Sequence, residues 1–420
     1  MSRHVVVIGA GIVGACTALA LLRDGQRVTL VEPEEPGGTQ AASFGNGAWI
    51  SPSSVVPVSM PGLWRKVPGY LLDPTGPLTI RPTALPQLAP WLLRFVRAGS
   101  TVARVEATAR ALRALIADAP ARHVALAASI GQPGLVEQRG LIYAYPDRAA
   151  FEAEALAWRL RRDNGVRWTE LDAAALRARE PALAPRYTFG LHIADGAHCT
   201  DPGGYVRALV EHAVALGGVL AHTNATGFEL ERGRLRAVRT ARGPIGCDAA
   251  VLAAGIASAP LARAVGDVVP LASERGYHVA IRDPEAAPST PVMPSDGKMA
   301  NTVTAGALRA AGQVELANPG SPPDWRRADI LLGHLLGTYP ALAREPAAAR
   351  VSRWMGHRPS TPDGLPVIGP SAASADIVHA FGHGHVGLAA APITAQMVTD
   401  LLADRTGPVP PDRYGAQRFR

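Results

Sequence analysis

The sequence predicts a mixed fold, α/β on a parallel sheet together with α+β on an antiparallel sheet, and three observations predict it. An apolar run at 5–8 opens into the glycine-rich stretch Gly9-Ala10-Gly11-Ile12-Val13-Gly14. An apolar run ending in a small-residue turn returns much later, at 249–253, as expected of a strand buried in a parallel sheet. Between 269 and 316 the texture changes to alternation, as in Tyr277-His278-Val279-Ala280-Ile281, which marks half-buried antiparallel strands. With 420 residues and 47% hydrophobic content, the chain can form one large or two intimately joined domains, each with its own core.

Each part of the first βαβ unit has a separate physical job. Gly9 permits the sharp turn out of the strand, Gly11 lets a pyrophosphate approach the backbone, and Gly14 lets helix and strand pack closely. The N–H groups of Ile12 and Val13 and the positive end of the helix dipole then face anionic oxygen. A second strand at 28–31 ends at Glu32, eighteen positions after Gly14. A carboxylate there accepts hydrogen bonds from ribose hydroxyls and repels a 2′-phosphate, so a Rossmann-like site for FAD or NAD is expected and one for NADP is not. A tight turn without a ligand would leave Glu32 with little to do.

After this unit a Gly/Ser/Pro-rich passage at 36–86 is too long for a simple connector and is expected to be functional, with Ser43-Phe44-Gly45-Asn46-Gly47 as its core. Apolar residues at helical spacing predict helices over 88–128 and 151–164. From 190 an α/β texture resumes, with a helix at 201–216 and strands at 218–223, 225–230, 234–240 and 249–253. Asp296-Gly297 predicts a hairpin turn within the alternating region. The C-terminal part reads as a Pro/Gly-rich turn system at 357–370, a strand at 377–380, a glycine loop at 382–387 and a final helix through 402. This divides the chain into a nucleotide domain (1–86, 190–266 and 350–420) and a substrate domain (87–189 and 267–349).

Composition excludes several classes. Lys66 and Lys298 are the only lysines among 42 cationic side chains, and the arginines are dispersed with Ala and Glu along helical faces, so the net charge of +7 reads as solvated surface. No basic run is interleaved with aromatics, and nucleic-acid binding is not expected. Cys16, Cys199 and Cys247 stand singly, giving no disulfide framework and no metal-ligand spacing. No leader peptide or membrane span is expected. The expected location is the cytoplasm, with peripheral contact at the inner face of the cell membrane left open.

Four blocks stand in order: the N-terminal fingerprint; residues 43–47; Glu274-Arg275-Gly276-Tyr277-His278; and Trp354 through Gly369, containing Gly356-His357-Arg358-Pro359, with Phe381-Gly382-His383-Gly384-His385-Val386-Gly387-Leu388. Together they resemble the D-amino-acid oxidase superfamily of FAD enzymes, most closely the bacterial D-amino-acid dehydrogenases of the small-subunit type, over nearly the whole chain. The last block is specific to that superfamily, whereas the first fits many flavin and nicotinamide enzymes. The resemblance implies a Rossmann-like FAD-binding domain interleaved with an antiparallel-sheet substrate domain, with FAD extended in the first and substrate between the flavin ring and the sheet of the second; no Cys follows Cys247, so noncovalent FAD is expected. It places Gly9, Gly11 and Gly14 at the pyrophosphate and Glu32 at the adenosine ribose. Ser43, Asn46 and Gly47 fall near the ribityl chain and ring, and Gly255 at the cofactor border. Gly384, Val386, Gly387 and Leu388 would offer backbone N–H groups to the pyrimidine edge, where reduction leaves negative charge.

Oxidation of a D-amino acid by hydride transfer from Cα to flavin N5 needs geometry rather than a metal. Arg358 is the expected carboxylate clamp: a guanidinium gives two parallel hydrogen bonds, and the resemblance implies the role, because its block matches the superfamily's Gly-x-Arg-Pro pattern, where that Arg binds substrate. Tyr277 and His278 are consecutive in a strand, so only one can line the site. Tyr277 would donate to the carboxylate, and His278 would accept the amine proton. His383 and His385 could stabilise reduced flavin or touch substrate. Electrons are expected to pass to a quinone or other carrier. The competing readings are a D-hydroxyproline, D-proline or other secondary-amine dehydrogenase or oxidase, a NAD-linked dehydrogenase, and a flavin-containing RNA-modification or RNA-binding module.

Overall fold

The computed structural model describes residues 2–65, 69, 73, 75–342 and 346–420. Lys66 lies outside them. Among the described residues the fingerprint strand His4–Ile8 sits inside a six-stranded sheet. The order is Val219–Ala221, Arg27–Val31, His4–Ile8, Ala249–Leu252, Ile377–Phe381 and Val367–Pro370. All neighbours run parallel except the last pair. Val5, Val6 and Val7 are buried because both faces of the sheet are covered, Val5 and Val7 by helices and Val6 by a cluster that includes Phe228, Leu235 and Val238, which is why these strands read as unbroken apolar runs. The fingerprint helix Ile12–Arg23 and the last helix Gly387–Leu402 share one apolar cluster against it, through Leu19, Val398 and their neighbours. Strands Ala225–Glu231, Arg234–Thr240 and Gly243–Gly246 form a separate antiparallel sheet rather than extending the parallel one.

The alternating region forms the second large sheet. Its order is Val351–Ser360, Ala272–Arg282, Ala307–Leu316, Ala300–Thr304, Val292–Pro294, Leu141–Tyr145, Phe189–Ile193 and Thr169–Leu171, and Leu78–Ile80 adds in parallel beside Ala307–Leu316. Asp296 and Gly297 lie in the turn between the antiparallel strands Val292–Pro294 and Ala300–Thr304. One expectation needs correction. The turn system expected at 357–370 begins only after Ser360, because Val351–Ser360 is a continuous strand paired with Ala272–Arg282 along its whole length. Pro359 is tolerated there because the strand lies at the sheet edge, where a missing N–H breaks no ladder.

The strand Ala272–Arg282 sorts its side chains by parity. Tyr277, Val279 and Ile281 face back onto the helix Arg326–Thr338, packing with Leu331 and Leu335. Glu274, Gly276 and His278 face forward, towards the parallel-sheet domain. Helices Leu85–Ala98, Val102–Ile116, Ala119–Ser129, Arg148–Glu152 and Ala155–Asp163 fill the two expected helical regions.

Candidate active site

A cavity of about 1300 Å3 runs from the carboxyl ends of the parallel strands to the front of the antiparallel sheet. This is the crevice in which open α/β sheets place ligands. Gly9 leaves its strand at φ +99°, and a Cβ there would stand 2.7 Å from the carbonyl oxygen of Ala253, so only glycine fits. Gly14 does not reach the cavity wall; a Cβ on it would collide with the Gly9 carbonyl, confirming that it serves close packing. Gly11, Ile12 and Val13 line the wall at the helix N-terminus. The Ile12 N–H is not free for a ligand, since it donates to Ser43 Oγ at 3.0 Å. Glu32 also lines the cavity and its Oε2 accepts the Ala10 N–H at 2.8 Å, fixing the carboxylate over the glycine turn.

The loop carrying Ser43, Asn46 and Gly47 forms the next part of the wall. Asn46 bridges its own turn, donating to Ser43 O and accepting from Ala48 N–H. Gly47 lets the loop press on the antiparallel sheet, where a Cβ would meet that of Ala300 at 2.9 Å. Arg309 was not anticipated from sequence. This buried side chain donates through Nη1 to the carbonyls of Phe44 and Asn46, both at 3.0 Å, and so locks the loop to the sheet. Burial pulls its pKa down to about 10, opposed by Asp201. The only sequence hint was an arginine inside an alternating strand.

Opposite this loop, Gly255 (φ +56°) borders the cavity at the end of strand Ala249–Leu252. His383, Gly384, Val386, Gly387 and Leu388 line its far wall. The Gly384 N–H donates to Pro359 O and the Val386 N–H to His383 O, so both are committed within the protein. Gly387 and Leu388 open the last helix, whose N-terminus has no capping side chain, and their N–H groups remain for a ligand. The His383 ring bonds Thr394 Oγ1 at 3.0 Å, and burial lowers its pKa to about 3. His385 lines the cavity and is solvent-exposed, and its pKa is lowered to about 4, first by desolvation and then by Arg358. It is a neutral ring beside a cation.

The structure brings Arg358 to the cavity and places both Tyr277 and His278 off its wall. Tyr277 donates to Glu315 Oε2 at 2.5 Å behind the sheet, where Arg275 and Arg81 also meet that carboxylate. Burial and Glu315 raise the Tyr277 pKa. His278 faces forward but is roofed by the loop, bonding Gly45 O through Nδ1 at 3.0 Å and stacking on Trp354. Its pKa falls to about 3 through burial and then Arg309. Arg358 lies flat over Gly276, where a Cβ would be 2.3 Å from Nη2. It donates to Gln313 O at 3.3 Å and has no ion pair among the described residues. Burial lowers its pKa, partly offset by Glu274. The wall carries the apolar side chains of Trp91, Phe95, Leu78, Ile80 and Leu316, together with the carboxylate of Glu274, the register partner of Arg358.

The chemistry of this wall suits FAD. Two helix N-termini, at Ile12 and at Gly387, open on one cavity and match an anionic diphosphate and a flavin ring that gains charge on reduction. None of the three cysteines lines the cavity, and all are buried with raised thiol pKa values, consistent with noncovalent binding. No metal-ligating cluster occurs among the described residues, and no helix there is long and apolar enough to cross a membrane.

Comparison with known proteins gives a consistent result. The family model described as FAD dependent oxidoreductase (DAO) matches residues 4–401. A D-amino-acid oxidase of Bradyrhizobium diazoefficiens is 51% identical over 417 residues, spanning 99% of each chain. D-amino acid dehydrogenase 2 of Ralstonia nicotianae is 34% identical, covering 99% of this chain and 100% of that one. Among solved structures, glycine oxidase from Geobacillus kaustophilus superposes with a TM-score of 0.76 at 20% identity, over 99% of both chains. L-proline dehydrogenase from P. horikoshii gives 0.69 at 18%, over 100% of this chain and 98% of the other. At such identities the two structures speak for the fold.

Proposed function

This chain belongs to the FAD-dependent oxidoreductase family, and from that premise we propose that it oxidises D-amino acids at Cα, with the site residues acting as follows. The observation that carries the reading is Arg358, a guanidinium that lines the cavity without an ion pair among the described residues. Its fork suits a carboxylate, and its flat pose over Gly276 sets the direction from which that carboxylate is held. Bound FAD would supply the acceptor for the hydride of the substrate Cα–H. The residues of the chain supply the rest. Glycines 9 and 11 with the N-terminus of the first helix hold the diphosphate, Glu32 the ribose, and the Gly387 and Leu388 N–H groups the pyrimidine edge. Trp91 and Phe95, stacked at 5.0 Å, exclude water beside the clamp.

The named relatives, an oxidase and a dehydrogenase, agree on the D-amino acid. The electrons then leave to a quinone or other carrier, and turnover with a quinone analogue compared with oxygen alone tests that step. For the first half-reaction, anaerobic mixing with D-alanine, D-proline or cis-4-hydroxy-D-proline should bleach the flavin. Arg358→Lys, which keeps charge and loses the fork, should lower kcat/KM by about a hundredfold, the loss of one charge-assisted hydrogen bond of ~3 kcal/mol. Absence of bleaching with all three substrates would overturn the proposal.

A further inference from the structure

Glu274 is a carboxylate with one oxygen assigned and one left over. It is 8% exposed and lies on the cavity wall. Its Oε2 accepts the Ser360 hydroxyl at 2.6 Å, and Ser360 is bridged in turn to His383 in the glycine loop. Oε1 has no donor among the described residues. That oxygen opens onto the cavity, where a cationic group of a ligand can take the place of water. The obvious cation in the chain does not fill that place. Glu274 and Arg358 are direct partners in the antiparallel register, yet the Arg358 guanidinium leans along the neighbouring strand over Gly276, and the two form no ion pair. Opposite charges therefore share one cavity wall with a gap between them.

An α-amino acid carries the same two charges, one carbon apart, with opposite polarity. We infer that Glu274 binds the α-ammonium group of the substrate while Arg358 binds its carboxylate, so that the cross-strand pair is a two-point receptor for a zwitterion. The inference rests on the amino-acid reading of this site. Two anchored groups on Cα leave only rotation about the line joining them, and the cavity in front of the sheet fixes that rotation. The receptor also sets specificity. A carboxylate ligand without an amine would leave Glu274 without a cationic partner, and that is the discrimination a buried polar group enforces.

Two isosteres isolate the ammonium. 2-Aminoisobutyrate is a zwitterion with no Cα hydrogen to lose, and pivalate replaces its ammonium by methyl. Titration of the flavin absorbance of the FAD-loaded protein gives a Kd for each. In the native protein 2-aminoisobutyrate should bind at least about tenfold more tightly. In Glu274→Gln that preference should shrink to about twofold or less, with pivalate unchanged or tighter as one buried charge is removed. A preference that survives Glu274→Gln, or its absence from the native protein, overturns the inference while leaving the Arg358 reading standing. If neither ligand perturbs the native flavin, the amino-acid reading of the site falls as well. Should Glu274→Gln fail to retain FAD, Glu274→Asp keeps the charge and shortens its reach; an unaltered preference there would equally overturn the inference.

Discussion

Gly276→Ala tests whether the pose of the clamp, rather than its mere presence, sets activity. The new Cβ would stand 2.3 Å from Nη2, 2.4 Å from Cζ and 2.7 Å from Nη1 of Arg358. Comfortable contact begins near about 3.5 Å, so the guanidinium must retreat by roughly 1 Å. The fold should tolerate this. The yielding atoms end a flexible side chain with the cavity beyond them, and alanine in a strand loses less backbone entropy than glycine, so stability should change by less than about 1 kcal/mol. Catalysis should not tolerate it, because a misplacement of about 1 Å in a held reactant can cost on the order of a hundredfold. The expected result is kcat/KM for D-alanine lowered about a hundredfold, roughly 2.7 kcal/mol in the barrier, with flavin content and thermal midpoint near native. The assay is anaerobic flavin reduction beside a thermal melt of the same preparation. A kcat/KM within threefold of native would refute the reasoning, as would a loss that merely tracks unfolded protein. Gly356→Ala provides the contrast. Its Cβ would strike the Trp354 ring, which is pinned by its stack on His278 and by Nε1 donating to Thr39 O, so stability itself should drop.

Two glycines of the fingerprint should separate folding from cofactor binding. Gly9→Ala is strained at φ +99° and meets backbone at 2.7 Å, so it should lower the thermal midpoint of the flavin-free protein, whereas Gly11→Ala meets only Ser43 Oγ at 3.4 Å and should fold normally while losing FAD on dialysis. Equal midpoints for the two would contradict this. Glu32→Gln should weaken FAD retention about tenfold, read by flavin fluorescence released on dilution, since it replaces a charged acceptor held by the Ala10 N–H with a neutral one. Acid should destabilise the holoprotein. His123, His278 and His383 have pKa values lowered from 6.5 to about 4, 3 and 3 by burial. The unfolded chain therefore takes up protons as pH falls through about 6.5 while the native rings do not, and stability present above that pH is lost towards pH 4, by roughly 2 kcal/mol per ring at pH 5. Denaturant melts at pH 7.5 and 5 should show it, with a shallower dependence in His123→Gln; an identical dependence would remove His123 from the account.

What the sequence disclosed and what it hid follow from one distinction. The parallel sheet was legible because burial on both faces writes unbroken apolar runs and because Gly9, Gly11 and Gly14 have local steric reasons to be glycine. Arg358 was singled out by residue type and block, and the fold places it on the cavity wall. Tyr277 and His278 were correctly placed on opposite faces by parity, but which partners each face would meet depended on Glu315, Gly45 and Trp354, remote in the chain. Strand Val351–Ser360 was hidden by its own glycine and proline, which imitate a turn. In the folded sheet those small residues have another meaning: Gly356 leaves room for the Trp354 ring, and Gly276 for the Arg358 guanidinium on the neighbouring strand. A large side chain laid flat across a strand requires a vacancy there, and only cross-strand register reveals which glycine supplies it. The same register puts Glu274 opposite Arg358, so the charge pattern of the cavity wall is a property of pairing rather than of either strand. A slip by one residue would turn every forward-facing group of one strand to the back, removing clamp and carboxylate from each other's side. The glycines that look dispensable in each strand taken alone are therefore the residues that tie substrate geometry to the fold.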